Sequence, residues 1–163
     1  MKSTQLLLLW LFPFSSLYVQ NTSQGAPLGT NPTDGPRGQC EVRTTAYTHS
    51  RDSTERNAND SRLKGGDLKS AAADWSRFPL GTKFSVCETH QTYVVDDYGP
   101  ALVGTNRIDL YMPSSREMRR WGVRKVTIII IEPGSYARSL ALLKPRKRVP
   151  YVRRMVKVLE QKV

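Results

Sequence analysis

Metal-ligating residues are scarce in this sequence. Two cysteines, Cys40 and Cys87, and two histidines, His49 and His90, are spread over 163 residues. None falls in a Cys-x-x-Cys or His-rich arrangement, so no metal or cofactor motif is present. The run of ~20 apolar residues that a spanning helix needs is also missing. A mean hydropathy of -0.46 excludes a multi-span membrane protein. No phosphate-binding glycine loop, nucleophile elbow or internal repeat occurs. Acidic residues are few: 14 Asp and Glu stand against 25 Lys and Arg, for a net charge of +11. Such a surface selects anionic partners, whether nucleic acid, acidic lipid or an anionic wall polymer. The length suits one domain with a real core.

What is present begins with an export signal. Lys2 precedes an apolar run from Leu6 to Phe14, too short to span a bilayer and of the length of a secretory h-region. Ser23-Gln24-Gly25 is the best match to a cleavage site. Residues 1–25 therefore read as a signal peptide or an N-terminal anchor, and the protein is expected in the periplasm or cell envelope. Export argues against an intracellular nucleic-acid partner, and so does the lack of basic residues interleaved with aromatics on a sheet face. In an oxidising compartment Cys40 and Cys87 could pair, closing a long loop worth ~3–4 kcal/mol. Residues 26–39 have the Gly, Pro, Asn and Thr content of a flexible linker.

From there the pattern turns to strands. Val42–Thr48 alternates and is β-branched, and His49–Lys69 is polar and loop-like, with a turn at Gly65-Gly66. The Pro79-Leu80-Gly81-Thr82 turn feeds a strand over Lys83–Cys87, with Thr92–Val95 as its neighbour. Over Arg107–Met112, Ile108, Leu110 and Met112 fall on a core face, and Arg107, Asp109 and Tyr111 on the other. Ser114 with Glu117 predicts the start of a short helix that ends at Gly122. The β-branched run Val126–Ile131 predicts a buried central strand. Together these predict a small, mainly β barrel over residues 40–135 with one short helix.

Residues 136–163 form a basic C-terminal extension, with nine Lys and Arg against Glu160 alone. Tyr151–Val158 has apolar residues enough for a short amphipathic helix. A solvated tail and a surface for anionic lipid or wall polymer are both open here.

Three aspartates stand in or at the end of apolar stretches: Asp74 after Ala71-Ala72-Ala73, Asp97 after Val94-Val95-Asp96, and Asp109 within Arg107-Ile108-Asp109-Leu110. A carboxylate there either caps a backbone or works chemically. The chemistry that suits it is glycosidic cleavage, where a carboxylic acid of raised pKa protonates the leaving oxygen.

These segments resemble the three-aspartate (3D) domain, the double-psi β-barrel catalytic module of membrane-bound lytic murein transglycosylase A. The residues that carry the likeness are Thr45-Ala46-Tyr47, Asp74 with Pro79-Leu80-Gly81-Thr82, Asp97-Tyr98-Gly99 through Gly104, Arg107-Ile108-Asp109-Leu110 and Trp121-Gly122. The resemblance implies a six-stranded double-psi barrel that needs no cofactor and cleaves the MurNAc–GlcNAc bond of peptidoglycan glycan strands. It implies Asp109 as the general acid and base, leaving a 1,6-anhydro end, with Asp74 and Asp97 in support. Tyr47, Thr45, Trp75, Tyr98, Gly99, Gly104 and Arg107 would contact the substrate. A monomer is expected. The other function class open to this scaffold is a non-catalytic glycan-binding module. Two departures stand out. Asp97 and Asp109 are one residue further apart than in the family pattern, so a bulge or longer turn is expected between them, and Pro100 replaces a glycine. Arg107 shares a face with Asp109 and would lower its pKa unless it turns elsewhere.

Overall fold

The computed structural model describes residues 38–49 and 56–163. The export signal or anchor read at residues 1–25, and nearly all of the linker, lie outside the described residues.

Six strands form a closed barrel. They are β1 (Gln39–Tyr47), β2 (Leu68–Ala72), β3 (Lys83–Val86), β4 (Thr92–Asp97), β5 (Arg107–Tyr111) and β6 (Arg124–Glu132), in the spatial order β1-β5-β2-β4-β3-β6. The β1–β5 and β2–β4 pairs are parallel and the others antiparallel. The mainly β class and the six-stranded closure agree with expectation. Inward side chains alternate along each strand, as closure requires. Val42, Phe84, Val86, Tyr93, Val95, Ile108, Leu110, Val126 and Ile128 fill the interior. Phe84 and Tyr93 are partners in the β3–β4 register, and their rings stack at 5.6 Å.

Two strands differ from their sequence patterns. β2 was hidden in Leu68-Lys69-Ser70-Ala71-Ala72, which has no β-branched residue. It is a strand because β4 and β5 pair with it on both sides, and small side chains suit its buried position; tertiary pairing overrides propensity. β6 is not buried on both faces. Val126 and Ile128 point inward, whereas Ile131 is 57% exposed, because a barrel has one interior and an open outer face.

The barrel segment holds the one helix expected, and a helix also covers the Tyr151–Val158 stretch. The first, α1 (Ser115–Trp121), forms as the capping signal predicts: Ser114 Oγ accepts from the Glu117 amide, and Gly122 ends it at φ 64°. Two more follow, α2 (Tyr136–Leu143) and α3 (Pro150–Leu159), joined by a 3-10 turn at Lys144–Arg146. The basic extension is thus packed against the barrel. Leu143, Val152, Met155, Val156 and Leu159 join the cluster that holds Trp75, Phe78 and Leu80. Positions 152, 155, 156 and 159 make one helical stripe. Ser139 Oγ accepts from Leu80 N at 2.8 Å, and Lys162 Nζ donates to the Ser76 carbonyl at 2.9 Å. Among the described residues, no helix is long and apolar enough to cross a membrane.

The disulfide left open by the sequence is not formed; both thiols are free. Cys40 pairs with Ile128 on one side of β6, and Cys87 N donates to Thr127 O on the other. The two cysteines are therefore about 10 Å apart, two strand spacings, beyond the reach of a bridge. Strand alternation also sets their side chains on opposite faces of the wall.

One glycine holds the hairpin to the barrel. A Cβ on Gly134 would lie 2.2 Å from Pro79 O, 2.6 Å from Thr82 N and 2.7 Å from Leu80 O, all backbone atoms. Gly134→Ala is expected to lower the unfolding free energy by about 3 kcal/mol, the upper range of overpacking, because backbone cannot rotate away. A urea titration checks it. Gly66→Ala, where nothing lies within 4 Å, serves as the control and should stay within about 0.5 kcal/mol of wild type.

Candidate functional site

The barrel register builds one row of side chains across four strands. Thr45 of β1 pairs with Asp109 of β5, Asp109 with Ala72 of β2, and Ala72 with Asp97 of β4. Residues in register on neighbouring strands face the same way. Asp97 and Asp109 thus flank Ala72 on one face, with only a methyl between them. A register shift makes this row. Ala71 pairs with Val95, yet Ala72 pairs with Asp97, so Asp96 is the extra residue of a bulge. Without the shift, Asp97 would leave the row. The bulge lies before Asp97 and not between the two aspartates. Residues 98–106 link them through two turns, closed by Leu102 N to Gly99 O and Thr105 N to Leu102 O.

Each carboxylate of the region has a different environment. Asp97 Oδ1 accepts from the amides of Ala58 (3.0 Å) and Tyr98 (2.9 Å). Burial pushes its pKa above the ordinary carboxylate value; the two amides oppose that rise, and Asp96 and Asp109 add to it. Asp109 is half-buried, and its Oδ1 has no hydrogen-bond partner among the described residues. Burial raises its pKa too, against the Thr45 hydroxyl and the Arg107 guanidinium. Arg107 Nη2 donates to Ala101 O at 2.9 Å, and the guanidinium still lowers the Asp109 pKa, as expected, without outweighing burial.

Asp74 does not enter this row. It is buried, with Oδ1 accepting from Ser76 N and Oγ and Oδ2 from Gly104 N at 2.7 Å. Its place is structural: it ties the 98–106 loop to the turn after β2, and Gly104, at φ 79°, supplies the amide. Asp96, which spacing did not single out, is the third charge near the pair. Its Oδ2 accepts from Ser70 Oγ (2.8 Å) and Lys64 Nζ (3.0 Å). The trio of the sequence pattern is thus a pair in register plus a buried carboxylate held by Ser76 and Gly104.

The expected substrate contacts also divide. Trp75 is fully buried and cannot touch a ligand; its indole N–H donates to Asp97 O at 2.9 Å and so supports the end of β4. Tyr98 packs edge-on against Trp75 with centroids 4.8 Å apart. Thr45 and Tyr47 line the row from β1. The Tyr47 hydroxyl is buried with no partner among the described residues, and its pKa is driven far up by burial and by Asp97, Asp96 and Asp109. Gly99 is half-buried and Gly104 exposed, both in the adjoining loop. Tyr111 stands in register with Tyr47, rings 5.5 Å apart, and its hydroxyl is 2.7 Å from His49 Nδ1. Alternation around Asp109 signals Tyr111, whereas nothing in the spacing signals His49. Among the described residues, no group of three His, Cys, Asp or Glu side chains is arranged to hold a metal ion.

Residues 69–132, from within β2 to the end of β6, match the family model described as 3D domain. This segment is similar to a 3D domain. No curated protein matches the chain. The 3D domain family is linked to lytic transglycosylase-like barrels. All three aspartates lie inside the matched 3D segment, whereas β1 with Thr45 and Tyr47, and the helices after Glu132, lie outside it.

The raised pKa values set a sign for stability. The folded state holds protons on Asp97 and Asp109 more tightly than the unfolded chain, so stability falls as pH rises from the ordinary carboxylate value through the folded ones. Asp109→Asn removes that loss at one site. It is expected to melt a few degrees higher than wild type at pH 7, with the gap closing below the ordinary carboxylate value. Calorimetry across pH checks both the gain and its disappearance.

Proposed function

We propose that this protein is a lytic transglycosylase that cuts the MurNAc–GlcNAc bond of peptidoglycan glycan strands in the cell envelope, acting as a monomer. The observation that carries this is Asp109: a carboxyl of raised pKa, one oxygen unpartnered, in register with Asp97 across Ala72. Protonated Asp109 donates to the bridging oxygen as the C–O bond breaks, and the sugar C1 takes on positive charge. The C6 hydroxyl of the same sugar then attacks C1, and the Asp109 carboxylate takes the hydroxyl proton. The product is a 1,6-anhydro end, no water is consumed, and Asp109 returns to its acid form. Asp97, held by its two amides, faces the developing cation. The Tyr47 hydroxyl, Arg107 Nε and Asp109 Oδ1 have no hydrogen-bond partner among the described residues, which leaves their hydrogen-bonding capacity open around the row. The export signal in the sequence supports the location.

Incubation with purified sacculi should release muropeptides with anhydro ends, read by mass spectrometry. Asp109→Asn should lower the rate by ~10²–10⁴-fold, the usual worth of a general acid. Reducing ends in their place would refute the mechanism. Sedimentation with sacculi and no released fragments would assign glycan binding alone.

The basic helices supply the attachment. Lys147, Arg148, Arg153 and Lys157 line a groove of about 620 Å³ with Val156 and Glu160. The apolar stripe of α3 is buried against the barrel, so Val152, Met155, Val156 and Leu159 are not free to enter a membrane interface. A concave basic surface fits an anionic wall polymer better than a bilayer plane. Replacing all four cations with Gln should weaken binding to such a polymer at least ~10-fold and flatten its salt dependence. Equal binding by the variant, or preference for anionic vesicles over polymer, would overturn this.

A further inference from the structure

The C-terminal helices lie outside the 3D match, yet a side chain from the turn between them reaches the two residues that bind Asp97. Arg146 ends the 3-10 turn between α2 and α3. Its Nη1 donates to the Ala58 carbonyl at 2.8 Å and to the Tyr98 hydroxyl at 3.2 Å. Ala58 and Tyr98 are the two residues whose backbone amides bind Asp97 Oδ1. One guanidinium nitrogen therefore holds both residues that hold Asp97.

We propose that Arg146 is a positioning residue for Asp97, fixing through Ala58 and Tyr98 the carboxylate that faces Asp109. It deepens the transglycosylase assignment, on which its kinetic effect depends. Arg146 touches no reacting atom.

The geometry around Ala58 shows why an anchor is needed. Residues 57–61 close on themselves: Asn57 Oδ1 accepts from the amides of Asn59 and Ser61, and Asp60 N donates to Asn57 O. Such a turn moves as a unit. Its Ala58 amide stays on Asp97 only while the unit stays docked, and the bond from Arg146 to the Ala58 carbonyl docks it. Tyr98 is fixed on three sides, by Trp75 at 4.8 Å, by Tyr151 at 6.2 Å and by Arg146 at its hydroxyl. Both tyrosine and turn are thus coupled to the helical hairpin. Arg146 is not a counter-ion for Asp97: no ion pair joins them among the described residues. The charged and titratable groups that face Asp97 are Asp96, Asp109 and Tyr47, all of which disfavour its charge or are disfavoured by it. The two amides are what oppose them.

The test follows the carboxyl itself. Carbon NMR of Asp97 gives its titration midpoint in wild type, Arg146→Met and Arg146→Lys. Loss of the clamp frees the Ala58 amide, and the midpoint should rise by roughly half a unit to one unit, the worth of one hydrogen bond to a charged group. Lysine keeps a donor that reaches both acceptors and should restore most of the wild-type value. Turnover of sacculi in Arg146→Met should fall by up to ~10-fold in kcat with little change in KM. An unchanged Asp97 midpoint in a normally melting Arg146→Met protein would overturn the proposal. Should that variant fail to fold, Tyr98→Phe decides: weakened exchange protection at the Ala58 amide with a smaller rise in the midpoint supports the clamp, and wild-type values for both sink it. The NMR midpoint reads the clamp even in a chain that cuts no glycan. A shifted midpoint with an inactive wild type would therefore reject the enzyme and leave the positioning intact.

Discussion

Everything at this site depends on one pairing, that of Ala72 with Asp97. A parallel ladder counted forward from Ala71 and Val95 would bring Ala72 to Asp96. The bulge discards Asp96 from the count and presents Asp97 in its place. The side-chain period of a strand is two, so a shift by one residue decides which aspartate faces Asp109 and which faces Ser70 and Lys64. A methyl at Ala72 lets the two carboxyls share the space between their strands. Any larger side chain there would fill it.

That arrangement is held at a loss to the fold. Burial raises the proton affinity of both carboxyls, Asp109 adds to the rise at Asp97, and the Tyr47 hydroxyl has no partner among the described residues. The surrounding structure compensates with rigid support. Trp75 holds the carbonyl of Asp97, Asp74 holds the loop at Gly104, and Gly134 admits the Pro79–Thr82 turn to within contact distance of the hairpin. These residues touch no substrate, yet each fixes a segment from which the row projects. Carboxyls with raised proton affinity, set in a stiff frame, are a local loss of stability that the surrounding packing offsets.

The helical hairpin after β6 joins that frame from outside the 3D segment. Its apolar stripe closes the bottom of the barrel over Trp75 and Phe78, and its charges remain on the outer face. One helix pair thereby has two sides with separate physical roles: burial towards the barrel, and a cationic groove towards solvent.

Sequence alone determined the features that depend on neighbours along the chain. Alternation put Ile108 and Leu110 inward and Asp109 with Tyr111 on the opposite side; Ser114 and Glu117 marked the start of α1; the apolar positions near the C-terminus allowed a helix. Tertiary structure decided what depends on partners far away in the chain. It made a strand of Leu68–Ala72 against its propensity, separated Cys40 from Cys87 across β6, removed Asp74 from the row and buried Trp75. Local periodicity is written in each segment, because side-chain direction follows from the backbone repeat. Register, bulges and docking arise only when strands close into a barrel, since the partner, not the residue, fixes where each side chain ends up.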